Sequence, residues 1–327
     1  MILNDNNFKK LDTFSNKLIK KELYSSKYVK PFIYCPHCKS THFIKFGKYN
    51  GIQRYRCKDC RKTFSNTTNS IWKYCKKPCV KWFQYTELLM EEKTLKQCAE
   101  KLEISIVTAF YWRHKLLHGV DKNTPEIFKN IVFLDKSYLG ISNKGSKGKA
   151  YPYKNKFYKR YDLFRTTIIM SILYDTNDSM SIKVLGKNDS WKVCEDKIFA
   201  KIEEKAYVKS IDNRYLKDHI IKHNKKVPLK LRKSLQYDTS SYYLKDNIIC
   251  SQEILNCNLN LKSWLSKFKG VASKYLNHYC SLFSIDFIKK EYDYIKLFFE
   301  TLCNNIHENY YLRIIDLKDL HELEFTI

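Results

Sequence analysis

Glycine, proline and acidic residues are scarce in this 327-residue chain, which has 8 Gly, 6 Pro and 34 Asp and Glu residues. Tyr, Asn, Lys and Ile are abundant instead, a bias typical of AT-rich coding, so a single Lys or Tyr carries little information. The hydrophobic content of 44% and the aromatic content of 15% are those of a folded protein and not of a disordered one. A chain of this length can hold two or three domains.

A long apolar run is also absent, which argues against a membrane-spanning protein. The first residues, MILNDNNFKKLD, lack the apolar stretch that follows the basic flank of an export signal. Twelve cysteines without such a signal fit a reducing cytoplasm, where cysteines remain thiols. We therefore expect a cytoplasmic, nucleoid-associated protein with no membrane partner.

What the chain has in excess is positive charge. Sixty Lys and Arg residues give a formal net charge of +26, and a surplus of this size attracts polyanions. The charge is concentrated: residues 31–80 contain eleven Lys and Arg but a single acidic residue, Asp59. A solvated charged face is the plainer interpretation of such a stretch, but its composition favours nucleic acid as the partner.

Two Cys-x-x-Cys pairs predict a metal centre within this basic region. The pairs are Cys35 with Cys38 and Cys57 with Cys60, separated by eighteen residues. Each pair presents two thiolates on one side of a tight turn, and four such sulfurs form the tetrahedral ligand set of one structural zinc ion. Asn50-Gly51 predicts a hairpin between the pairs. We interpret residues 31–72 as a zinc ribbon; unrelated cysteines or disulfides are the alternatives.

The hydrophobic period becomes helical after Val80. One helix is predicted around residues 80–92, and two more follow between Thr94 and Leu117. Thr94 is a suitable N-cap for the first helix of this pair and Ser105 for the second, with the break at residues 103–105. Two short helices joined by a tight turn predict a helix-turn-helix over residues 78–120, and an ordinary helical hairpin is the alternative.

Beyond a polar boundary near residue 120 the pattern becomes α/β. Residues 131–134 predict a short buried strand that ends on Asp135, and residues 206–211 predict another that ends on Asp212. Further strands are predicted over 165–174 and 180–185, and helices over 190–204, 253–267 and 284–305. Carboxylates at neighbouring strand ends can share divalent cations, although an Asp after a strand is more often the start of a loop.

The chain resembles a transposase of the IS1595 family of bacterial insertion sequences. The matching stretches are IYCPHCKS, RYRCKDCRKTFS, TLKQCAEKLEISIVTAFYWRHKLL and LKSWLSKFKGVASKYLNHY. The resemblance implies a ribonuclease H-like domain with an Asp, Asp and Asn or Glu triad that cleaves and joins DNA ends with two Mg²⁺ or Mn²⁺ ions. It assigns Asp135 and Asp212 to the first two positions and Asn256 to the third, with Asn258 and Glu253 as alternatives.

The predicted protein is therefore multidomain: a small zinc ribbon, a helical helix-turn-helix region and an α/β ribonuclease H-like domain with a mixed sheet flanked by helices. The domain bounds are a leader over 1–30, the ribbon over 31–72, the helix-turn-helix over 78–120, the catalytic domain over 128–310 and a tail over 311–327. The expected DNA contacts are Arg54, Arg56 and Lys62 in the ribbon, Ser105, Thr108, Tyr111 and Arg113 in the helix-turn-helix, and Lys262 and Lys274 beside the catalytic site.

The function expected from these features is that of an insertion-sequence transposase acting on double-stranded DNA, both the inverted repeats of its element and the target. Because two element ends must be joined, a homo-oligomer is expected, and no small-molecule substrate. The family usually has an acid after the first catalytic Asp, whereas this chain has Lys136, a cation that would oppose metal binding unless its side chain points away. The alternative is a catalytically decayed or domesticated DNA-binding protein that uses only the ribbon and the helix-turn-helix.

Overall fold

The computed structural model divides the chain into two compact units, Met1–Asn123 with Glu291–Asp316, and Thr124–Lys290 with Leu317–Ile327. The leader predicted over 1–30 and most of the predicted tail lie outside the described residues. The structure describes residues 32–49, 52–65, 68–71, 73, 77, 79–122, 126–142, 167–177, 179–187, 196–210, 216–230, 232–233, 251–288, 312–313 and 315–317.

The first unit contains a three-stranded antiparallel sheet of β1 (Phe43–Tyr49), β2 (Ile52–Cys57) and β3 (Thr63–Ser65), in the order β1-β2-β3. Tyr49 pairs with Ile52, which confirms the predicted hairpin, although residues 50–51 themselves lie outside the described part. One face of the sheet buries an aromatic cluster against two of the cysteines. The cluster consists of Phe32, Phe43, Tyr55 and Phe64, beside Cys35 and Cys57.

Three helices follow in the same unit: α1 (Cys79–Met90), α2 (Leu95–Leu102) and α3 (Ile106–Lys122). The predicted N-cap of α2 is confirmed, because Thr94 and Gln97 form a reciprocal capping box. Glu103 ends α2 in the left-handed conformation, with φ of 51°. The indole rings of Trp82 and Trp112 stack at 4.2 Å between centroids and join α1 to α3. The helical period of the apolar residues after Val80 therefore predicted these three helices correctly.

The second unit contains a mixed four-stranded sheet, built from β4 (Ile131–Gly140), β5 (Thr167–Asp175), β6 (Met180–Lys187) and β7 (Tyr207–Ser210). The strand order is β6-β5-β4-β7. The pairs β4–β5 and β5–β6 are antiparallel, whereas β4 and β7 are parallel. The parallel pair requires a crossover, and the chain between β6 and β7 supplies it with helical residues 196–199.

Helices and a core cluster cover this sheet. Val132, Leu134, Leu173 and Val208 pack on one face against residues of the crossover, among them Ile198. The other helices of the unit are α4 (Lys217–Lys226), α5 (Ser251–Lys267) and α6 (Leu276–Ile288), with a 3₁₀ turn at Ser273–Tyr275 before α6. None of the helices in the described ranges is long and apolar enough to cross a membrane.

A buried carboxylate fixes the turn between β5 and β6. Asp175 is 1% exposed and accepts backbone hydrogen bonds from Lys129, Asn177 and Ser179 at 3.0–3.1 Å. Three N–H donors satisfy the oxygen atoms of this carboxylate, so its burial is compensated. Asp175 is therefore a structural residue that ties the turn to the segment leading into β4.

Three predicted boundaries are wrong. The strand predicted to end on Asp135 continues as β4 to Gly140. The helix predicted over 190–204 ends by residue 199, because the following turn brings Ile202 into a β-bridge with Phe128. The helix predicted over 284–305 begins earlier, at Leu276, with α6. Helix α4 was not predicted, because its only apolar residues are the adjacent Ile220 and Ile221, which do not form a helical period.

Candidate functional site

The four cysteine sulfurs of the ribbon form a compact cluster, with all four atoms within 4.8 Å of one another. The Sγ atoms of Cys35 and Cys60 are 3.7 Å apart, and those of Cys38 and Cys57 are 3.6 Å apart. Tetrahedral zinc with Zn–S bonds of about 2.3 Å requires sulfur–sulfur separations of about 3.8 Å. A disulfide would need about 2.05 Å. The residues fit a zinc ion, and the cluster can hold one.

The two cysteine turns are built in the same way. The N–H of Cys35 donates to the carbonyl of Ser40 at 2.6 Å, and the N–H of Cys57 donates to the carbonyl of Lys62 at 3.0 Å. The residue after the second cysteine is left-handed in both turns, with φ of 64° at Lys39 and 57° at Arg61. The two turns are thus equivalent at an offset of 22 residues.

Backbone N–H groups in the second cysteine turn favour the thiolate form of Cys57. His37 N–H lies 3.4 Å from the Sγ of Cys35. The backbone N–H of Cys60, helped by that of Asp59, lowers the pKa of the Cys57 thiol to about 7, although burial acts in the opposite direction. Such N–H donors stabilise negative charge on the ligands of a metal ion.

The predicted DNA contacts of the ribbon lie on its outer surface. Arg54 and Arg56 are partly or fully exposed, and Lys62 is exposed. The guanidinium of Arg54 lies 5.7 Å from the ring centroid of Phe46, and that of Arg56 lies 5.4 Å from it. The ring of Phe46 is itself 41% exposed, a feature that sequence reasoning missed because a lone Phe in a strand is usually core.

The start of α3 exposes the side chains that were predicted to face DNA. Ser105 accepts a hydrogen bond from the N–H of Thr108 at 3.0 Å, so it caps the helix. The hydroxyls of the two residues are 2.9 Å apart. Ser105 is exposed, and Thr108 and Tyr111 are half-buried. Val107, 62% exposed, extends this surface.

Arg113, expected among these contacts, is buried instead. It is 1% exposed and donates from Nη2 to the carbonyl of Lys93 at 2.6 Å and to the Sγ of Cys98 at 3.4 Å. The guanidinium therefore joins α3 to the start of α2, and its burial keeps it from a DNA surface. The expectation for Arg113 was wrong because a helical residue with a long polar side chain was assumed to point outward.

In the second unit, the side chain of Asp135, the first predicted catalytic residue, contacts that of Asn258, one of the alternatives for the third catalytic position. Asp135 lies in the middle of β4 and is 8% exposed. The Nδ2 of Asn258 in α5 lies 3.4 Å from the Oδ2 of Asp135 and 3.3 Å from the carbonyl oxygen of Lys136. The N–H of Lys136 donates to the other carboxylate oxygen at 2.8 Å. The structure thus brings together two residues 123 positions apart.

Two polar atoms around this contact lack a hydrogen-bond partner among the described residues. They are the Oδ1 of Asn258 and the Oγ of Ser137, which is 2% exposed. Ser137 follows Asp135 by two residues in the same strand and therefore lies on the same face. Sequence reasoning missed Ser137, because its position became informative only once β4 extended past Asp135. A buried oxygen without a hydrogen-bond partner beside a carboxylate, as at Asn258, is suited to a cation or water.

The residue next to Asn258 in α5 is fully buried. Cys257 precedes Asn258 and is completely buried, and burial, followed by the charge of Asp135, raises the pKa of its thiol to about 12. Cys257 therefore stays a neutral thiol at neutral pH.

Lys136 belongs to the opposite face of the sheet. Successive side chains of a strand alternate between faces, so Lys136 and Asp135 point to opposite sides. The Lys136 ammonium lies 5.6 Å from the ring centroid of Tyr138, which shares its face. The side chain of Lys136 therefore points away from the face that carries the Asp135 carboxylate.

Asp212 lies outside the described residues, as do the side chains of Asn256 and Glu253 in α5. Of the predicted phosphate contacts near this site, Lys262 is exposed on α5, one turn after Asn258, and Lys274 is half-buried in the 3₁₀ turn with its ammonium 4.9 Å from the Tyr275 ring centroid.

Comparison with known proteins links the chain to mobile DNA. A protein of the transposable element ISH50 of Halobacterium salinarum (strain NRC-1), itself described as uncharacterized, is 29% identical to the chain over 115 residues. The match covers 35% of this chain and 38% of that protein, so the chain spans less than two thirds of its relative. No family model matches the chain. The likeness indicates a transposition-related role.

Proposed function

We propose that the chain is a transposase of the IS1595 type, which binds the ends of its element and cleaves and joins DNA with divalent cations. The contact between Asp135 and Asn258 carries this proposal, because it joins a strand carboxylate to an amide from the helix that bears the LKSWL motif. The relative from a transposable element supports the same role.

The sheet topology supports a ribonuclease H-like catalytic domain. Three successive antiparallel strands, β6, β5 and β4, are followed at the β4 edge by the parallel strand β7. In this arrangement Asp135 lies on the strand between an antiparallel and a parallel neighbour. Asp212 follows β7 by two residues in the chain, so we propose it as the second carboxylate of the site.

For the third position we propose Asn258 in preference to Asn256. Its buried Oδ1 lacks a partner among the described residues, while its Nδ2 makes long contacts of 3.3 and 3.4 Å. Rotation of the amide by half a turn would direct the oxygen to the carboxylate side and create two oxygen ligands on one cation. Oxygen ligands of this kind select Mg²⁺ or Mn²⁺.

Each residue then has a defined part. Asp135, Asp212 and Asn258 would hold the cations, which activate the attacking oxygen and stabilise the leaving oxygen of a phosphodiester. Lys262, one helical turn from Asn258, would contact a flanking phosphate. The N-terminal end of α3 would bind duplex DNA of the element ends, and the basic ribbon would also contact the DNA, in a cytoplasmic, nucleoid-associated homo-oligomer.

The test is cleavage of DNA that contains the two regions flanking the chain's own coding sequence, where the ends of an element lie. The zinc-loaded full chain with Mg²⁺ or Mn²⁺ is expected to nick this DNA. Asp135→Asn and Asn258→Ala should abolish nicking, while Asn260→Ala, an exposed position on the same helix, should leave it unchanged. DNA binding without any nicking by the wild type would favour a decayed or domesticated DNA-binding protein.

A further inference from the structure

The outer face of the ribbon sheet combines exposed apolar and cationic side chains. Ile44 lies opposite Arg56, and Arg56 lies opposite Thr63, so the three residues share one face. Phe46 joins them, with both arginine guanidinium groups within 6 Å of its ring centroid. We call this face, formed by Ile44, Phe46, Arg54, Arg56 and Thr63, the ribbon platform.

A backbone irregularity in β1 fixes the position of the Phe46 ring. Lys45 pairs with Tyr55 and Lys48 with Gln53, so two residues of β1 face the single residue Arg54. This is a β-bulge, and Gly47 supplies the left-handed conformation that it needs, with φ of 66°. A bulge turns the local strand and redirects its side chains. Phe46 is held in place on the face and remains 41% exposed.

A hydrogen bond also fixes the position of Arg54, one of the two arginines next to the Phe46 ring. The Nη2 of Arg54 donates to the Oγ1 of Thr63 at 3.2 Å. The aromatic cluster of the ribbon lies on the other face, with Tyr55, Phe43 and Phe64 packed together. The ring of Phe46 is therefore not part of that core, and its exposure needs another explanation.

The chemistry of the platform matches one class of partner. An exposed aromatic ring with guanidinium groups close to it can bind the flat face of an unpaired base through the ring and the adjacent phosphates through the guanidinium groups. Duplex DNA hides its base faces in the stack, so a ring at its surface would gain little. The single acidic residue in this stretch, Asp59, leaves the charge of the platform positive.

We infer that the ribbon platform binds single-stranded DNA by stacking an unpaired base on Phe46 while Arg54 and Arg56 contact the adjacent phosphates. This inference rests on the proposed function, because cutting and joining DNA exposes unpaired strands at the reacting ends. It assigns duplex binding to α3 and single-strand binding to the ribbon platform.

The experiment compares binding of a fluorescent oligothymidylate and of a duplex of equal length to the zinc-loaded full chain. Phe46→Ala should weaken oligothymidylate binding roughly tenfold, the size of one lost base-stacking contact, and leave duplex affinity unchanged. Phe46→Tyr retains the ring and should bind as the wild type does. Phe46→Leu retains apolar bulk without a ring and should behave as Phe46→Ala.

Zinc content, measured for each variant, shows that the ribbon remains folded. Wild-type affinity for oligothymidylate in Phe46→Leu would overturn the inference, since bulk alone would then suffice. An equal loss of duplex and single-strand binding in Phe46→Ala would also overturn it. If the wild type binds duplex but not oligothymidylate, the inference is overturned and the proposed binding of DNA ends is left intact. If the wild type binds neither, both the inference and the proposed binding of DNA ends are overturned.

Discussion

Asn224 pairs with Val208 in the way that a neighbouring strand would. Its Oδ1 accepts from the N–H of Val208 at 2.9 Å, and its Nδ2 donates to the carbonyl of the same residue at 2.8 Å. Val208 lies in β7, an edge strand of the sheet formed by the described residues, and an edge leaves backbone groups unpaired. One side chain of α4 thus completes two hydrogen bonds that the sheet leaves open.

We expect Asn224→Ala to lower the free energy of unfolding by about 1–3 kcal/mol, because two buried backbone groups lose their partners. The measurement is urea unfolding of the full chain followed by circular dichroism. Lys225→Ala, an exposed neighbour in the same helix, is the matched control and should change little. Equal stability of the two variants would contradict the edge-pairing role of Asn224.

Ser105 has two roles that one pair of variants can separate. Ser105→Ala removes the cap of α3 and should cost about 1 kcal/mol of stability. Ser105→Asp retains a capping oxygen and should preserve stability, but it adds a negative charge at the surface proposed to face DNA. We therefore expect Ser105→Asp to bind duplex DNA several-fold more weakly than the wild type while unfolding at the same temperature.

Fluorescence anisotropy with a duplex and thermal unfolding measure the two effects of Ser105 independently. Unchanged duplex affinity in Ser105→Asp would remove this end of α3 from the DNA interface.

Removal of zinc is expected to unfold the ribbon, because the buried aromatic cluster rests on Cys35 and Cys57. The purified chain should contain one zinc ion, measured by elemental analysis. A strong chelator should abolish the near-ultraviolet circular dichroism of the ribbon aromatics and leave the helical far-ultraviolet signal largely unchanged.

Cys38→Ser should lose zinc, whereas Cys98→Ser, a buried thiol outside the cluster, should retain one ion. Full zinc content in Cys38→Ser would exclude the four-sulfur site.

Arg113 is expected to contribute to stability and not to DNA contact. Arg113→Ala leaves the carbonyl of Lys93 without its donor and opens a cavity, and should cost about 2–4 kcal/mol. The measurement is thermal unfolding, with duplex binding assayed well below the unfolding transition. Stability close to that of the wild type combined with a large loss of duplex affinity would instead place the guanidinium at the DNA.

Local signals in the sequence were sufficient for the features that depend on neighbouring residues. The cysteine spacing predicted the four-sulfur cluster, and Thr94 predicted the start of α2. These features are determined over a few residues, by turn geometry and capping hydrogen bonds. Their prediction required no knowledge of tertiary packing.

The features that depend on packing were predicted less well. Asp135 was expected at a strand end because the polar residues after it look like a loop, yet Asp135 and Ser137 alternate with Lys136 and Tyr138 across the two faces of β4. The choice between Asn256 and Asn258 depends on how α5 is rotated against the sheet. Only tertiary structure determines that rotation, and it brings Asn258 to Asp135.

The equivalence of the two cysteine turns has a consequence for charge balance. A zinc ion with four thiolates carries a net charge of about −2. Each turn has one basic residue directly after its second cysteine, Lys39 and Arg61, in a conformation that glycine would adopt without strain. The left-handed conformation costs roughly 1–2 kcal/mol for such a residue. The ribbon thus retains, at that cost, one cation in each ligand loop, and the two positive charges equal in size the net negative charge of a zinc centre with four thiolates.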